Sequence, residues 1–193
     1  STTGSNSLAN VQPFRMNYRM GSLALAHNGN LTNTREIRTE LQEEGALFNT
    51  STDSEVFLHL IARSKQATQL LQIQQALRVT KGAFSLVIMT DDALYAARDP
   101  YGFRPLCIGR KKNEDGTYAY IITSETCALD IISAEYVRDV KHNEIVIIDE
   151  SFAEFELSNE KVDHALDVLM QGRTSIIIST RQPMIQKAQK MVC

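Results

Sequence analysis

The sequence predicts an α+β fold, in which helices precede a run of short strands that form antiparallel sheet. Two observations carry this prediction. Apolar residues recur at helical spacing between residues 33 and 80, and beyond residue 83 short apolar runs alternate with turn residues. The chain has 193 residues, of which 43% are apolar and 22% charged, as is typical of a globular domain of ordinary size.

The first predicted helix runs from Asn33 to Gly45. Asn33 is an N-cap candidate and is followed three residues later by Glu36, which is the spacing of a capping box. Ile37 and Leu41 lie four residues apart and share one face, and Gly45 supplies the end of the helix. The segment therefore predicts a capped amphipathic helix.

Two further helices are predicted before the strands. One begins near Asp53 and Ser54, and the other covers residues 67–80 and ends before Gly82. The apolar residues of the former recur at helical spacing on one face: Val56, Phe57, Leu60 and Ile61. Both helices are expected to pack on one sheet.

Short strands are predicted in the second half of the chain, with a short helix over residues 125–132 among them. The strand segments are AFSLVIM, ALYAAR, PLCIG, YAYIIT, EYVRDV, EIVIID and FAEFEL. From residue 159 the pattern changes to an apolar helix-like run, the strand IIIST and an amphipathic basic tail. We therefore predict one domain over residues 1–157 and a divergent tail of unknown role over residues 158–193.

Charge and hydropathy exclude several classes of function. The net charge is −3 and the basic residues are scattered, so no nucleic-acid partner is expected. No apolar run approaches the roughly 20 residues that cross a bilayer, and no signal pattern is present, which predicts a cytoplasmic protein without a membrane partner. The three cysteines, Cys107, Cys127 and Cys193, are odd in number and widely spaced, which predicts reduced thiols and no metal or cofactor in this chain.

The segment LALAHNGN allows two interpretations of equal weight. Asn-Gly is the commonest pair in a two-residue hairpin turn, so the strand that ends at Ala26 could simply enter a tight turn. Alternatively, an Asn side-chain amide and the backbone N–H of the next Gly can point at one spot, as the oxyanion hole of an acyl-transfer enzyme requires. Asn28 and Gly29 are therefore candidate catalytic residues.

A second candidate is the segment Thr52-Asp53-Ser54-Glu55, which opens a helix. Its simplest interpretation is an ordinary N-cap, which the sequence alone favours. The alternative is a binding site in which the Asp53 carboxylate holds a substrate ammonium group, as recognition of an amino acid requires. The spacing of the residues does not decide between them.

A third stretch, Arg98 to Leu106, reads RDPYGFRPL. Its Pro-Tyr-Gly core predicts a type II turn. The stretch indicates no chemistry of its own, and it is informative because such a string is rare.

Several segments, taken in order, form one pattern: STTGS with VQPF, LAHNGNLTN, the Asp53 segment, ARDPYGFRPLCIG, SETCALD, and AEYVRDV followed by EIVII. Together they resemble the class II glutamine amidotransferase domain of the amidophosphoribosyltransferase family over roughly residues 1–149. The string RDPYGxRPL resembles this family more than neighbouring members of the superfamily.

The resemblance implies an N-terminal-nucleophile fold, a four-layer αββα sandwich of antiparallel sheets, here incomplete at the N-terminus. It also implies a mechanism in which an N-terminal Cys, with its own amino group as base, attacks the amide of glutamine. The thioester is then hydrolysed, and ammonia passes to phosphoribosyl diphosphate in a second domain. The product, phosphoribosylamine, opens de novo purine synthesis.

Residue by residue, the resemblance assigns Asn28 and Gly29 to the oxyanion hole and Asp53 to the α-ammonium group of glutamine. It assigns Thr2 to a further glutamine contact. The family's catalytic Cys, and the Arg that grips the substrate carboxylate, would lie ahead of Ser1. We therefore expect the chain by itself not to hydrolyse glutamine.

The phosphoribosyltransferase domain, with the Mg²⁺ that it is expected to need, is absent from this chain, and the complete enzyme is expected to be a homo-oligomer. The cysteine spacing does not support an iron–sulfur cluster. Two alternatives remain open. One is another class II amidotransferase, of the asparagine synthetase or glucosamine-phosphate synthase type, and the other is a non-catalytic domain that binds glutamine or pairs with a full-length subunit.

Overall fold

The computed structural model describes residues 4–149 and 174–178. The chain divides into two compact units, with the division between Asp91 and Asp92. The predicted strand FAEFEL, the helix-like run after residue 159 and the predicted domain boundary at residue 157 lie outside the described residues.

The first unit holds three strands and three α-helices. After a short 3₁₀ helix at Leu8–Asn10, its elements are β1 (Phe14–Tyr18), β2 (Gly21–Leu31), α1 (Thr34–Glu43), α2 (Glu55–Arg63), α3 (Gln69–Val79) and β3 (Gly82–Thr90). Strand β2 is central and pairs antiparallel with β1, from Tyr18↔Gly21 to Phe14↔Leu25, and with β3 along its length. The three predicted helices are confirmed, with ends within three residues of those predicted.

The core of the first unit lies between the sheet and helix α2. Side chains alternate in burial along β2, and those at the odd positions from Leu23 to Leu31 face the interior. The rings of Phe57 on α2 and Phe84 on β3 are fully buried and meet edge to face at 5.7 Å between centroids. This apolar contact positions the start of α2 against the sheet.

The capping box predicted for α1 is wrong, although the helix itself is confirmed. Asn33 occupies the N-cap position but its side chain makes no capping hydrogen bond. Its amide instead donates to the Val79 carbonyl at 2.9 Å and accepts from the Lys81 N–H at 2.9 Å. Asn33 therefore ties the start of α1 to the connection between α3 and β3, where buried backbone groups need partners.

The second unit is built mainly of strands. Its elements are β4 (Ala93–Arg98), β5 (Cys107–Lys112), β6 (Tyr118–Thr123), α4 (Cys127–Ile131), β7 (Glu135–Asp139), β8 (Glu144–Asp149) and β9 (Thr174–Ile178). Strand β8 pairs antiparallel with β4 and parallel with β9. Strand β5 lies between β6 and β7 and is antiparallel to both. The described strands and helices thus confirm the predicted α+β class.

The turn at Pro100 differs from the type II turn that the sequence predicts. The Gly102 N–H donates to the Asp99 carbonyl at 3.2 Å, which closes the turn. Gly102, the last residue of that turn, has φ = 67°, whereas Tyr101 is not among the residues with positive φ. A type II turn requires positive φ at its third residue, so this turn is of the other common class, which favours Asp first and Gly last.

Candidate active site

The backbone of β2 turns its N–H groups alternately to its two edges, as expected for a strand in an antiparallel sheet. The Ser22 N–H donates to Asp91 Oδ2 at 2.8 Å, and the Thr32 N–H donates to the Lys81 carbonyl at 2.8 Å. Both acceptors flank β3 at its two ends. The even-numbered amides of β2 therefore face β3, and the odd-numbered amides face the opposite edge.

Beyond Leu25 the opposite edge of β2 is no longer covered by β1, and side chains take over as acceptors. Gln12 Oε1 accepts from the His27 N–H at 2.5 Å, and Asp53 Oδ2 accepts from the Leu31 N–H at 2.8 Å. By the same alternation, the Gly29 N–H faces this edge between them. We refer to the segment His27–Leu31 as the β2 edge.

Gly29 is required at this position by the close approach of β2 to β3. Its φ is 153°, and a Cβ built on it would lie 2.1 Å from the Ala83 carbonyl oxygen and 2.8 Å from the Ala83 carbonyl carbon. Any side chain would therefore force the two strands apart. Within the described ranges, no side chain accepts a hydrogen bond from the Gly29 N–H. A ligand oxygen at this edge would therefore accept from that N–H.

The predicted hairpin turn at Asn28-Gly29 is wrong. Both residues lie inside an eleven-residue strand that stays paired with β3, Asn28 opposite Ser85 and Gly29 opposite Phe84. The Asn28 side chain lies on the exposed face of β2, directly before the Gly29 amide. A side-chain amide and a backbone N–H thus belong to consecutive residues of β2, and these are the types of donor from which an oxyanion hole is built.

Asp53 lies next to the same edge. Its side chain is 3% exposed, and its Oδ1 lies 3.3 Å from Ser54 Oγ and 3.7 Å from His27 Nδ1. Ser54 is the N-cap residue of α2 without a side-chain capping bond, and the Asp53 carboxylate turns towards β2. The N-cap interpretation is therefore wrong for the side chains, because the Ser54 hydroxyl does not cap α2. The Asp53 carboxylate accepts from the Leu31 N–H of β2 instead.

His27 is a residue that the sequence analysis missed. It is 4% exposed, its Nδ1 lies 2.9 Å from Ser54 Oγ, and its ring meets Phe57 edge to face at 5.5 Å. The signal for it was available, because His27 continues the alternation of buried positions set by Leu23 and Leu25. Through these contacts His27 connects the β2 edge to the start of α2.

The segment that leads to Asp53 is fixed by the buried Glu55. Its carboxylate accepts from the N–H groups of Asn49 and Thr50, both at 2.8 Å, and from the Thr50 hydroxyl at 2.8 Å. The adjacent Ser51 bonds to Asn10 in both directions, since the Asn10 amide donates to Ser51 Oγ at 2.9 Å and accepts from the Ser51 N–H at 3.1 Å. The chain on both sides of residue 50 is therefore held in place.

Thr2, the other predicted glutamine contact, lies outside the described residues. Within the described part of the chain, no group of three or more His, Cys, Asp or Glu side chains could hold a metal ion. No helix there is long and apolar enough to span a membrane.

Comparison with known proteins identifies the family. The family model described as a glutamine amidotransferase domain matches residues 4–130. The chain is 52% identical over 149 residues to a chloroplastic amidophosphoribosyltransferase of Vigna aconitifolia, covering 77% of this chain and 30% of that protein. An amidophosphoribosyltransferase of Staphylococcus aureus is 44% identical over 150 residues, covering 78% of this chain and 30% of the relative.

A solved structure supports the same assignment. Glutamine phosphoribosylpyrophosphate amidotransferase from B. subtilis, complexed with ADP and GMP, matches with a TM-score of 0.71 at 42% identity, over 76% of this chain and 31% of that one. This match confirms the predicted α+β fold of the N-terminal-nucleophile type. The chain spans about a third of the length of the relatives that it matches. The resemblance found in the sequence is confirmed: this chain belongs to the glutamine amidotransferase domain family.

Proposed function

We propose that this chain is the glutamine-hydrolysing domain of an amidophosphoribosyltransferase, which supplies ammonia to phosphoribosyl diphosphate to form phosphoribosylamine. One observation carries the proposal. On the β2 edge, the Gly29 N–H lies between two amides that the side chains of Gln12 and Asp53 already occupy, with the Asn28 amide beside it. The Gly29 N–H and the Asn28 side-chain amide would together donate to a single carbonyl oxygen.

The spacing along β2 fits the length of glutamine. The amides of Gly29 and Leu31 are separated by two residues of strand, which is about 6.6 Å at a rise of roughly 3.3 Å per residue. An extended glutamine spans roughly 6 Å from its side-chain oxygen to its α-nitrogen, given carbon–carbon bonds of about 1.5 Å. With its oxygen at Gly29, the ammonium group would reach the Asp53 carboxylate that binds the Leu31 N–H.

A buried carboxylate suits this ammonium group. Asp53 is almost completely buried, so an ion pair formed there is weakly screened by solvent. Because Asp53 is buried, a cation must lose its hydration shell to reach the carboxylate. A cation that does not fit the geometry of the site gains too little binding free energy to offset that loss. The site would therefore select for an ammonium group at a fixed distance from the reacting amide.

In the proposed reaction a cysteine thiolate attacks the side-chain amide carbon, and Asn28 and Gly29 stabilise the oxyanion. Ammonia leaves, and water then hydrolyses the thioester to release glutamate. Cys107 does not suit the nucleophile, because it is 3% exposed and burial raises its pKa, opposite to what activates a thiol. The family resemblance assigns the attack to an N-terminal cysteine.

The partners follow from the same proposal. Ammonia would pass to a phosphoribosyltransferase domain that uses Mg²⁺, within a homo-oligomeric enzyme, and Thr2 would add a contact to glutamine. For the compartment, we propose the cytoplasm. The plant relatives, however, are named as chloroplastic, so a plastid location is the alternative to test by microscopy of a tagged protein.

The test uses this sequence joined at Ser1 to an N-terminal segment that begins with the catalytic cysteine that the family resemblance implies, here called the extended chain. It should release ammonia from glutamine. Asp53→Asn keeps an oxygen for the Leu31 N–H but removes the charge, so KM for glutamine should rise about 10- to 100-fold, as for a lost charged hydrogen bond. The value of kcat should change little.

Asp91→Asn is the matched control, because Asp91 also accepts a β2 amide, from Ser22 at 2.8 Å, but at the far end of the strand. Its KM should stay at the parent value. An extended chain that neither releases ammonia nor binds glutamine in calorimetry would refute the proposed function. Equal KM changes in the two variants would remove Asp53 from the substrate site.

A further inference from the structure

Gln12 lies just ahead of β1 and takes over where the ladder between β1 and β2 stops. The last paired residues are Phe14 and Leu25. The Gln12 side chain reaches the next amide on that edge instead, and its Oε1 accepts from the His27 N–H at 2.5 Å. The backbone is therefore held two residues before Gly29.

The other half of the Gln12 carboxamide is unused by the described fold. Its Nε2 is buried, and no hydrogen-bond partner lies within reach among the described residues. The amide cannot be turned over, because exchange of its two ends would set Nε2 against the His27 N–H. Gln12 thus carries a donor that the fold leaves unpaired, and a buried unpaired donor is costly.

A glutamate at this position would serve the fold alone better. Its carboxylate would accept the same His27 N–H more strongly and would leave no donor unpaired. It would also place a negative charge about 8 Å from an oxyanion at Gly29, since consecutive odd amides are about 6.6 Å apart. The neutral amide thus makes the contact to the strand without placing this charge near the oxyanion.

We propose that Gln12 is a positioning residue of the oxyanion site, which fixes the β2 edge through the His27 N–H without adding a second carboxylate beside Gly29. This inference rests on the proposed function. Gln12 acts on the reaction through the direction of the Gly29 N–H and through its own neutrality. Substitutions that separate these two effects can test it.

The kinetic test compares Gln12→Glu and Gln12→Leu in the extended chain. Gln12→Glu retains the acceptor and leaves no donor unpaired, so its thermal unfolding temperature should equal or exceed that of the parent, but kcat should fall about 10- to 30-fold. This is the effect of a unit charge about 8 Å away at an effective dielectric near 20. KM should stay within about twofold, because the substrate ammonium binds elsewhere. Gln12→Leu should lower both kcat and the unfolding temperature.

Gln69→Glu is the control, since Gln69 is half-buried like Gln12 and its side-chain amide also contacts the backbone. In Gln69 the contact is made by Nε2, which donates to the Met20 carbonyl at 3.1 Å. Gln69→Glu should lower stability and leave kcat unchanged. A parent-like kcat in Gln12→Glu would overturn the inference. If Asn28→Ala lowered kcat in the same assay, the proposed function would survive that failure.

A second measurement does not depend on catalysis. In the chain as printed, Gln12→Leu should shift the ¹H–¹⁵N signals of both His27 and Gly29 and speed exchange of their amide hydrogens, whereas Gln69→Leu should leave both unchanged. A Gly29 signal that stays in place in Gln12→Leu would overturn the positioning role. This result stands even if the extended chain proves inactive, in which case the proposed function alone has failed.

Discussion

Replacement of Gly29 by alanine tests whether the β2 edge depends on the close approach of β2 to β3. The added Cβ would lie 2.1 Å from the Ala83 carbonyl oxygen, whereas ordinary van der Waals contact begins at 3.4 Å. The obstacle is backbone and not the flexible end of a side chain. Strand β3 must therefore move by more than about 1 Å, which is enough to break ladder hydrogen bonds on both sides of Ala83.

The expected cost has two parts. An alanine held at φ = 153° stores about 1–3 kcal/mol of backbone strain. Loss of two ladder hydrogen bonds adds about 1–3 kcal/mol. A central value of about 4 kcal/mol corresponds to a fall in Tm of roughly 8–16 °C for a chain of this size.

Gly45→Ala separates the two parts, because Gly45 also has positive φ, at 86°, but a Cβ there would meet nothing within 4 Å. This control should cost only the strain of a left-handed residue, about 1–2 kcal/mol. Urea and thermal unfolding followed by circular dichroism would measure both variants. If Gly29→Ala proved no more destabilising than Gly45→Ala, the steric reasoning for the β2 edge would be refuted.

Three further predictions address the site and its surroundings. In the proposed site the exposed Asn28 side chain contacts the oxyanion and not the core. Asn28→Ala in the extended chain should therefore lower kcat about 100- to 1000-fold with little change in unfolding temperature. A changed KM with constant kcat would contradict this prediction. Burial lowers the pKa of His59 below 6.5 despite the opposing Glu55, so the unfolded state takes up a proton first and stability should fall as pH drops below about 6.5. Urea titrations at several pH values should show that the free energy of unfolding falls less steeply below pH 6.5 in His59→Gln than in the parent. Burial also raises the pKa of the Cys107 thiol, so iodoacetamide at pH 8 should modify the exposed Cys127 before Cys107, as peptide mass spectrometry would show.

The helices and most strands could be predicted from the sequence because their periodicities are local. Ile37 and Leu41 lie four residues apart on one face of α1, and both are buried. The same local reasoning failed at Asn28-Gly29, where turn statistics compete with a longer pattern. The alternation of Leu23, Leu25 and His27 continues through the pair, and β3 supplies partners along the whole stretch. Tertiary pairing decides such a case.

Side-chain partners were harder to predict, because distant residues supply them. Asn33 was assigned to its own helix and instead bonds to Val79 and Lys81. The Asp53 carboxylate was weighed as a cap for α2 and instead accepts from Leu31, twenty-two residues earlier. Helix-capping rules compare only neighbours in sequence, so they give no weight to an unpaired strand amide brought close by folding.

The candidate site follows from how this fold terminates a strand pair. An unpaired edge presents an N–H at every second residue, and each one that stays buried must find an acceptor. Strand β1 covers the edge of β2 as far as Leu25. Beyond it, the Gln12 side chain accepts from the His27 N–H and the Asp53 side chain accepts from the Leu31 N–H. The Gly29 N–H, which lies between these two amides on the same edge, is the donor that remains. If β1 extended by two more pairs, main chain would replace the Gln12 side chain at the His27 N–H and would approach the part of the edge where the proposed oxyanion would lie.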